Sequence, residues 1–280
     1  MNYGEALKSG AEYLRSRDIA DAEYDAWYLL EFAGHISRAE YLLRRTEKMP
    51  KEVYIRYEEL LRERGKRIPL QHLTGEQEFM GLSFTVNDRV LIPRQDTELL
   101  AEEALKRLRP GARVLDLCTG SGCIAISLKK IRADLDVTAS DLSGQALEIA
   151  RENAKRLMTD IDFVQSDLLE ELSGTFDMIV SNPPYIPTKT IDTLMEEVRF
   201  HDPKMALDGG ADGLFFYRRI IAESKSHLTL GGWLIFEIGH DQGETVSHMM
   251  MEGSYTGVRV IKDLSGLDRV VVGTWHKEEL

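Results

Sequence analysis

The sequence predicts an α/β fold: a mostly parallel sheet with helices on both faces, preceded by a helical bundle and a β-hairpin. Three observations carry this. From Arg113 onward, strand-length apolar runs alternate with helix-period segments, the pattern of a parallel sheet covered on both sides. Residues 1–67 carry apolar stripes only at helical spacing. Between the two, Glu76–Val86 reads as a hairpin turning at a glycine.

In chain order, Ala6, Leu7, Ala11 and Leu14 form one helical stripe. Ala22, Ala26, Leu29, Leu30 and Phe32 form a second, and Val53, Tyr54, Tyr57, Leu60 and Leu61 a third. Asp21 and Ser37 are expected N-caps, and Gly34 and Gly65 expected stops. The hairpin turns at Gly81, and Val90-Leu91-Ile92 reads as a strand ended by Pro93. Thr97–Leu108 reads as a helix. Strands then fit Val114–Leu117, Val137–Ser140, Ile161–Val164, Asp177–Val180 and Trp233–Ile238. Helices fit Ile124–Ile131, Gln145–Leu157, Gly213–Leu228 and Glu244–Met251. The last strands, Val258–Ile261 and Val270–Thr274, are short and close together and should form an antiparallel edge. The expected domains are therefore a bundle over 1–67, a hairpin linker over 68–92 and a sheet domain over 93–280.

A length of 280 residues favours two domains, and 43% apolar residues suffice for a core. No apolar run reaches the ~18 residues of a membrane span. Met1–Lys8 lacks a basic region followed by an apolar one, so no secretory signal is expected. Cys118 and Cys123 are too few for a disulfide framework and have neither redox nor zinc spacing, which fits a reducing cytoplasm. The formal net charge of −12 is uneven: residues 1–74 hold 13 basic and 13 acidic residues, residues 75–280 hold 22 and 34. An acidic second half repels a phosphate backbone, which counts against free DNA or RNA as substrate.

Val114–Gly122 runs from a strand into the turn Cys118-Thr119-Gly120-Ser121-Gly122 and then a helix. Gly120 and Gly122 permit close approach of backbone to a ligand. Alone this is a weak signal: it is not Gly-x-Gly-x-x-Gly, and the missing Gly-Lys-Ser/Thr excludes a P-loop. Asp141 closes the next strand, where dinucleotide folds place an acid on the ribose hydroxyls. Asp167-Leu168 closes the one after, with an acid in reach of an adenine amine. A solvated loop-end carboxylate is the bland reading of each alone; chance seldom gives the whole set in succession.

The set is completed by Asn182-Pro183-Pro184-Tyr185, directly after the apolar strand Phe176–Ser181. Two successive prolines fix φ and donate no backbone hydrogen bond, so the turn is stiff and its carbonyls are held as acceptors. Asn182 Oδ1 and the Pro183 carbonyl suit the two protons of a planar –NH2 group, and Tyr185 suits a flat wall beside it. The bland reading is an ordinary Pro-Pro turn.

These residues resemble the class I S-adenosylmethionine-dependent methyltransferases, and Asn-Pro-Pro-Tyr resembles the branch that methylates planar nitrogens. Further stretches are similar to the bacterial release factor glutamine methyltransferase family. They are Ile92-Pro93-Arg94-Gln95-Asp96-Thr97-Glu98, Leu115–Ala125, Ala206–Gly210 with Asp212-Gly213-Leu214, Phe236-Glu237-Ile238-Gly239 and Asp268-Arg269-Val270. The bundle plus hairpin is also that family's layout. The chain departs from the pattern at Cys118, where Gly is usual, and at Gln95, where Pro is common. The resemblance implies a class I methyltransferase fold that holds S-adenosyl-L-methionine with Cys118, Thr119, Gly120, Ser121, Gly122, Asp141, Asp167, Leu168 and Asn182. It implies methylation of the side-chain amide of the Gly-Gly-Gln glutamine of peptide chain release factors, a step in translation termination, with the bundle gripping the partner.

Other readings differ in substrate or class. An adenine-amine methyltransferase shares the Asn-Pro-Pro-Tyr logic but needs base flipping and a basic channel on a duplex. A ribosomal-protein glutamine methyltransferase would differ mainly in its appended domain. A non-catalytic binding protein would have little use for an intact motif. No metal site is expected, since His201 and His240 lack ligand spacing. Arg94 and Glu98 suit either the cofactor entrance or helix-start ion pairs, and Glu237 is a candidate for the site floor.

Overall fold

A computed structural model describes residues 1–276. The chain forms two compact units, Met1–Glu76 with Met195–His201, and Gln77–Leu194 with Asp202 onward. The boundary thus lies at Glu76/Gln77, with no division near 92, and a short segment from far along the chain joins the first unit. The last four residues of the expected sheet domain lie outside the described residues.

The first unit contains α1 (Tyr3–Arg15), α2 (Ala22–Gly34), α3 (Arg38–Arg44), α4 (Lys51–Arg64) and α5 (Leu70–Thr74). Their stripes meet in a core that includes Tyr3, Leu14, Leu29, Leu30, Tyr57 and Leu61. Ser37 caps α3 in a reciprocal box with Glu40, while Asp21 occupies the cap position of α2 without a side-chain bond. The α2 helix ends after Gly34 through a left-handed His35.

In the hairpin, β1 (Glu76–Phe79) and β2 (Leu82–Thr85) flank Met80 and Gly81, with φ of 51° and 71°. Two positive φ values give the turn whose twist matches paired strands. Val90–Ile92 forms no strand, contrary to expectation. Val90 instead packs with Val86, Ala146 and Ile149, so helix side chains rather than a strand edge receive it.

There follow α6 (Asp96–Leu105), β3 (Arg113–Leu117), α7 (Cys123–Ile131), β4 (Asp136–Asp141), α8 (Gly144–Arg156), β5 (Asp162–Gln165) and β6 (Phe176–Ser181). After α9 (Glu196–His201), which belongs to the first unit, come α10 (Lys204–Leu207), α11 (Phe215–Glu223), β7 (Leu228–Glu237), α12 (Gly243–Glu252), β8 (Tyr255–Lys262) and β9 (Asp268–Trp275). The helix expected over Gly213–Leu228 is shorter, because a 3₁₀ turn at Ser224–Ser226 ends it and Leu228 already pairs with Phe176.

Among the described residues, seven strands form one sheet in the order β5-β4-β3-β6-β7-β9-β8; the pairs from β5 to β7 are parallel, and β9 runs antiparallel to both its neighbours. Side chains alternate between two cores, as the strand period requires. Val114, Met178 and Val180 pack with Leu100 and Ala104 of α6 and Ile124 and Leu128 of α7. Leu115, Leu117 and Ile179 pack with Tyr217 and Ile220 of α11 and Val246 and Met250 of α12. The strand order reverses at β3, flanked by β4 and β6. Ligands of open α/β sheets bind outside the carboxyl ends at such a point.

Candidate active site

The turn after β3 is built around a buried acid. Asp116 is fully buried, and its Oδ2 accepts from Thr119 Oγ1 at 2.6 Å and from the Ala125 amide at 3.0 Å in the first turn of α7. Burial pushes its pKa up to about 7 against those two donors. Sequence reasoning missed this residue; the available signal was an acid inside an apolar strand just before a glycine turn. Cys118 adopts a φ of 64°, a conformation that costs a side chain ~1–2 kcal/mol, and glycine escapes that cost.

Asp141 ties this turn to the next strand. Its Oδ2 accepts from the Gly120 amide and its Oδ1 from the Ser143 amide, both at 2.9 Å. Burial raises its pKa against these bonds. A carboxylate has about four acceptor positions, so capacity remains for ligand hydroxyls.

A solvent-open cleft of about 750 Å³ lies at the switch point. Of the residues singled out in the sequence, it brings together Cys118, Gly120, Asp141, Asp167, Leu168, Asn182 and Pro184. Thr119, Ser121, Gly122, Pro183 and Tyr185 are not among its lining residues. Thr119 is turned to Asp116, the Ser121 carbonyl accepts from Asn153 Nδ2 at 3.0 Å, and Gly122 caps α7. Asp167 Oδ1 pairs with Arg219 at 2.7 Å, which commits one oxygen of the expected adenine acceptor. Val90, Leu91, Met205 and Phe216 add apolar walls that the sequence did not announce. A Cβ built on Gly120 meets nothing within 4 Å, so the turn leaves room on its open side. Apolar walls plus carboxylates at two strand ends fit a nucleoside carrying a polar tail.

The Asn182 turn leaves β6 beside this cleft. Register pairs Leu117 with Ser181, and Ser181 Oγ donates to the Leu117 carbonyl at 2.7 Å, so Cys118 and Asn182 emerge from adjacent strand ends. The turn is braced from behind. Gln242 Nε2 donates to the Tyr185 carbonyl at 3.0 Å and to the Gly213 carbonyl at 3.3 Å, while its Oε1 accepts from the Gly239 amide at 2.9 Å. Ile186 exchanges backbone hydrogen bonds with Leu207 and Gly209. A Cβ on Gly209 would stand 2.7 Å from Tyr185 Cα and 2.8 Å from the Pro184 carbonyl oxygen, so only glycine lets the backbones cross. The Tyr185 side chain is partly buried against the α11/α12 core, and burial raises its phenol pKa.

Asn182 Nδ2 donates to Thr97 Oγ1 at 3.3 Å. Ser181 pairs with Phe236, which sets Glu237 beside Asn182 at the next strand end. Glu237 is 2% exposed. Burial pushes its pKa up to about 7, opposed by hydrogen bonding from Thr97, the charge of Arg269 and hydrogen bonding from Asn182. Arg94 and Glu98 do not line the cleft: Arg94 pairs with Asp202 at 2.6 Å, and Glu98 accepts from the Met80 amide of the hairpin turn at 2.6 Å. Among the described residues no group of His, Cys, Asp and Glu is arranged to hold a metal ion.

Comparison with known proteins supplies the family. Residues 95–212 match the methyltransferase small domain, and residues 5–75 match the PrmC N-terminal domain. The release factor glutamine methyltransferase of Geobacter sulfurreducens is 40% identical over 262 residues, 93% of this chain and 92% of that protein. The protein of the same description from Deinococcus radiodurans is 40% identical over 273 residues, 97% of this chain and 98% of that one. A methyltransferase from Pyrococcus furiosus, 19% identical, superposes with a TM-score of 0.54 over 70% of this chain and 90% of its own, a likeness of fold.

Proposed function

The chain belongs to the release factor glutamine methyltransferase family, and from that premise we propose that it methylates the side-chain amide nitrogen of the glutamine in the Gly-Gly-Gln motif of peptide chain release factors, with S-adenosylmethionine as methyl donor. The observation that carries this reading is the emergence of Asn182 and Cys118 from adjacent, paired strand ends at one cleft. An acceptor for a planar –NH2 thereby stands next to a pocket suited to a nucleoside.

When bound, S-adenosylmethionine supplies a methyl group on a positively charged sulfur. Asp141 would accept from its ribose hydroxyls, the Gly120 turn would leave it room, and the uncommitted oxygen of Asp167 would face the adenine amine. Asn182 Oδ1 and the Pro183 carbonyl would accept the two amide protons of the substrate glutamine and so aim the nitrogen lone pair into the cleft. The same acceptors stabilise positive charge growing on that nitrogen. The proton need not leave first, so no strong base is required at the motif. Holding the reacting atoms in line can supply ~7–11 kcal/mol of the barrier in favourable cases.

The partner is a protein, and the first unit is the part that would grip it. The net charge of −12 opposes a nucleic-acid substrate. No described helix is long and apolar enough to cross a membrane; two unpaired cysteines fit a cytoplasmic setting. The test is incubation with methyl-labelled S-adenosylmethionine and purified release factor, followed by peptide mass mapping. The label should sit on the Gly-Gly-Gln glutamine; label elsewhere, or none, removes the proposal.

A further inference from the structure

We infer that Thr97 and Glu237 are positioning residues which fix the edge of the Asn182 amide that faces the substrate. The inference rests on the reading of Asn182 as the holder of the substrate amide.

The two ends of an asparagine amide are nearly equal in size but opposite in kind, one accepting and one donating. Only with Oδ1 outward can Asn182 receive a proton of a substrate –NH2 group. Its Nδ2 is taken by Thr97 Oγ1 at 3.3 Å. Thr97 is 3% exposed in the first turn of α6, so its hydroxyl cannot turn to water. Having accepted from Asn182, that hydroxyl must place its one hydrogen elsewhere. Glu237 stands at the neighbouring strand end, one residue beyond the Ser181–Phe236 pair, and its Oε2 has no hydrogen-bond partner. An ionised carboxylate accepts and cannot donate. It draws the Thr97 hydrogen toward itself and leaves the oxygen lone pairs of Thr97 to Asn182. Glu237 takes hydrogen bonding from both Thr97 and Asn182, so the donor direction runs from Asn182 to Thr97 and to Glu237, and Oδ1 of Asn182 is left to the cleft. Burial and the charge of Asp96 push the Glu237 pKa up to about 7, while Thr97, Asn182 and Arg269, the neighbour of its strand partner Val270, oppose them, so the carboxylate is the form present above that pH, where the assays are run. A buried carboxylate with an unused oxygen is costly to fold, so its presence under this turn calls for a reason of this kind.

The test uses the full-length protein, S-adenosylmethionine and release factor, with single-turnover rate, cofactor affinity and thermal unfolding measured together. Thr97→Val keeps shape and removes the hydroxyl; its rate should fall by about tenfold to a hundredfold, with cofactor affinity unchanged. Thr97→Ser restores the hydroxyl and should stay within roughly threefold of wild type. Asn182→Asp removes the donor and should be nearly as slow as Asn182→Ala. Adding Glu237→Gln to Asn182→Asp supplies a donor at the far end, so the direction can reverse and about tenfold of rate should return. Wild-type rate in Thr97→Val, or a Thr97→Ser as slow as Thr97→Val, overturns the inference. If Thr97→Val does not fold, the paired variants decide, and no recovery on adding Glu237→Gln overturns it. A wild-type rate in Asn182→Ala would instead remove the functional reading beneath it.

Discussion

Each oxygen of Asp141 already accepts one backbone hydrogen bond, from Gly120 and from Ser143, so a ligand hydroxyl held there binds a group that also fixes two loops. Asp141→Ala should weaken S-adenosylmethionine binding by ~1–3 kcal/mol, through lost ligand bonds and a loosened Gly120 turn. Asp141→Asn keeps one acceptor and should fall between. Titration calorimetry on the folded variants reads this directly, and wild-type affinity in Asp141→Ala rules out the ribose assignment. Asp141 and Asn182 were legible in the sequence because each directly follows or closes an apolar strand. Asp116 and Thr97 were not. The carboxyl of Asp116 is explained by a turn that folds back on it, and Thr97 by the side chain of Asn182, 85 positions away. Local pattern reads a threonine near a helix start as a cap and goes no further.

Strands that are buried on both faces write themselves as apolar runs, and β3, β4, β6 and the end of β7 lie where those runs stand. Val90–Ile92 looks the same in sequence but finds helix side chains, because an apolar triplet says nothing about what lies opposite. The stretch 207–214 shows how an element can serve a site without lining its cleft. Its backbone crosses behind the Asn182 turn at Gly209, and Gln242 ties that turn to Gly213. Gly209→Ala forces a Cβ against backbone at Tyr185 and Pro184, neither of which is the far end of a flexible side chain. The turn must shift, and a displacement of ~1 Å can cost on the order of a hundredfold in rate. Single-turnover methylation should therefore drop steeply while S-adenosylmethionine affinity, set mainly at the β3 and β4 ends, changes little. An unchanged rate would mean that the brace does not set the turn.

At the scale of the whole molecule, the sequence suggests a cut near residue 67, but one buried guanidinium shows why a linear cut is too simple. Arg64 donates to Asp25 at 2.6 Å and to Glu197 at 3.1 Å, and Arg67 reaches Glu197 at 3.3 Å, all within the first unit. Glu197 lies 133 positions beyond Arg64, a distance no periodicity or composition shift reports. A protein beginning at Ile68 should still bind S-adenosylmethionine, because every cleft residue belongs to the second unit. It should lose methylation of the release factor, if the first unit is the gripping part. Yet that truncation also strips Arg64 and Arg67 from Glu197, so a loosened Met195–His201 segment is a rival cause of the loss. Full-length Glu197→Gln separates the two: it weakens the buried ion pairs and leaves the bundle surface in place. Breaking one partner of a buried pair can cost ~3–5 kcal/mol, so folding of this variant is checked by thermal unfolding before rates are compared. Methylation kept in Glu197→Gln and lost in the truncation assigns recognition to the first unit. Full methylation by the truncated protein denies it that role, and equal loss in both traces the defect to the segment instead.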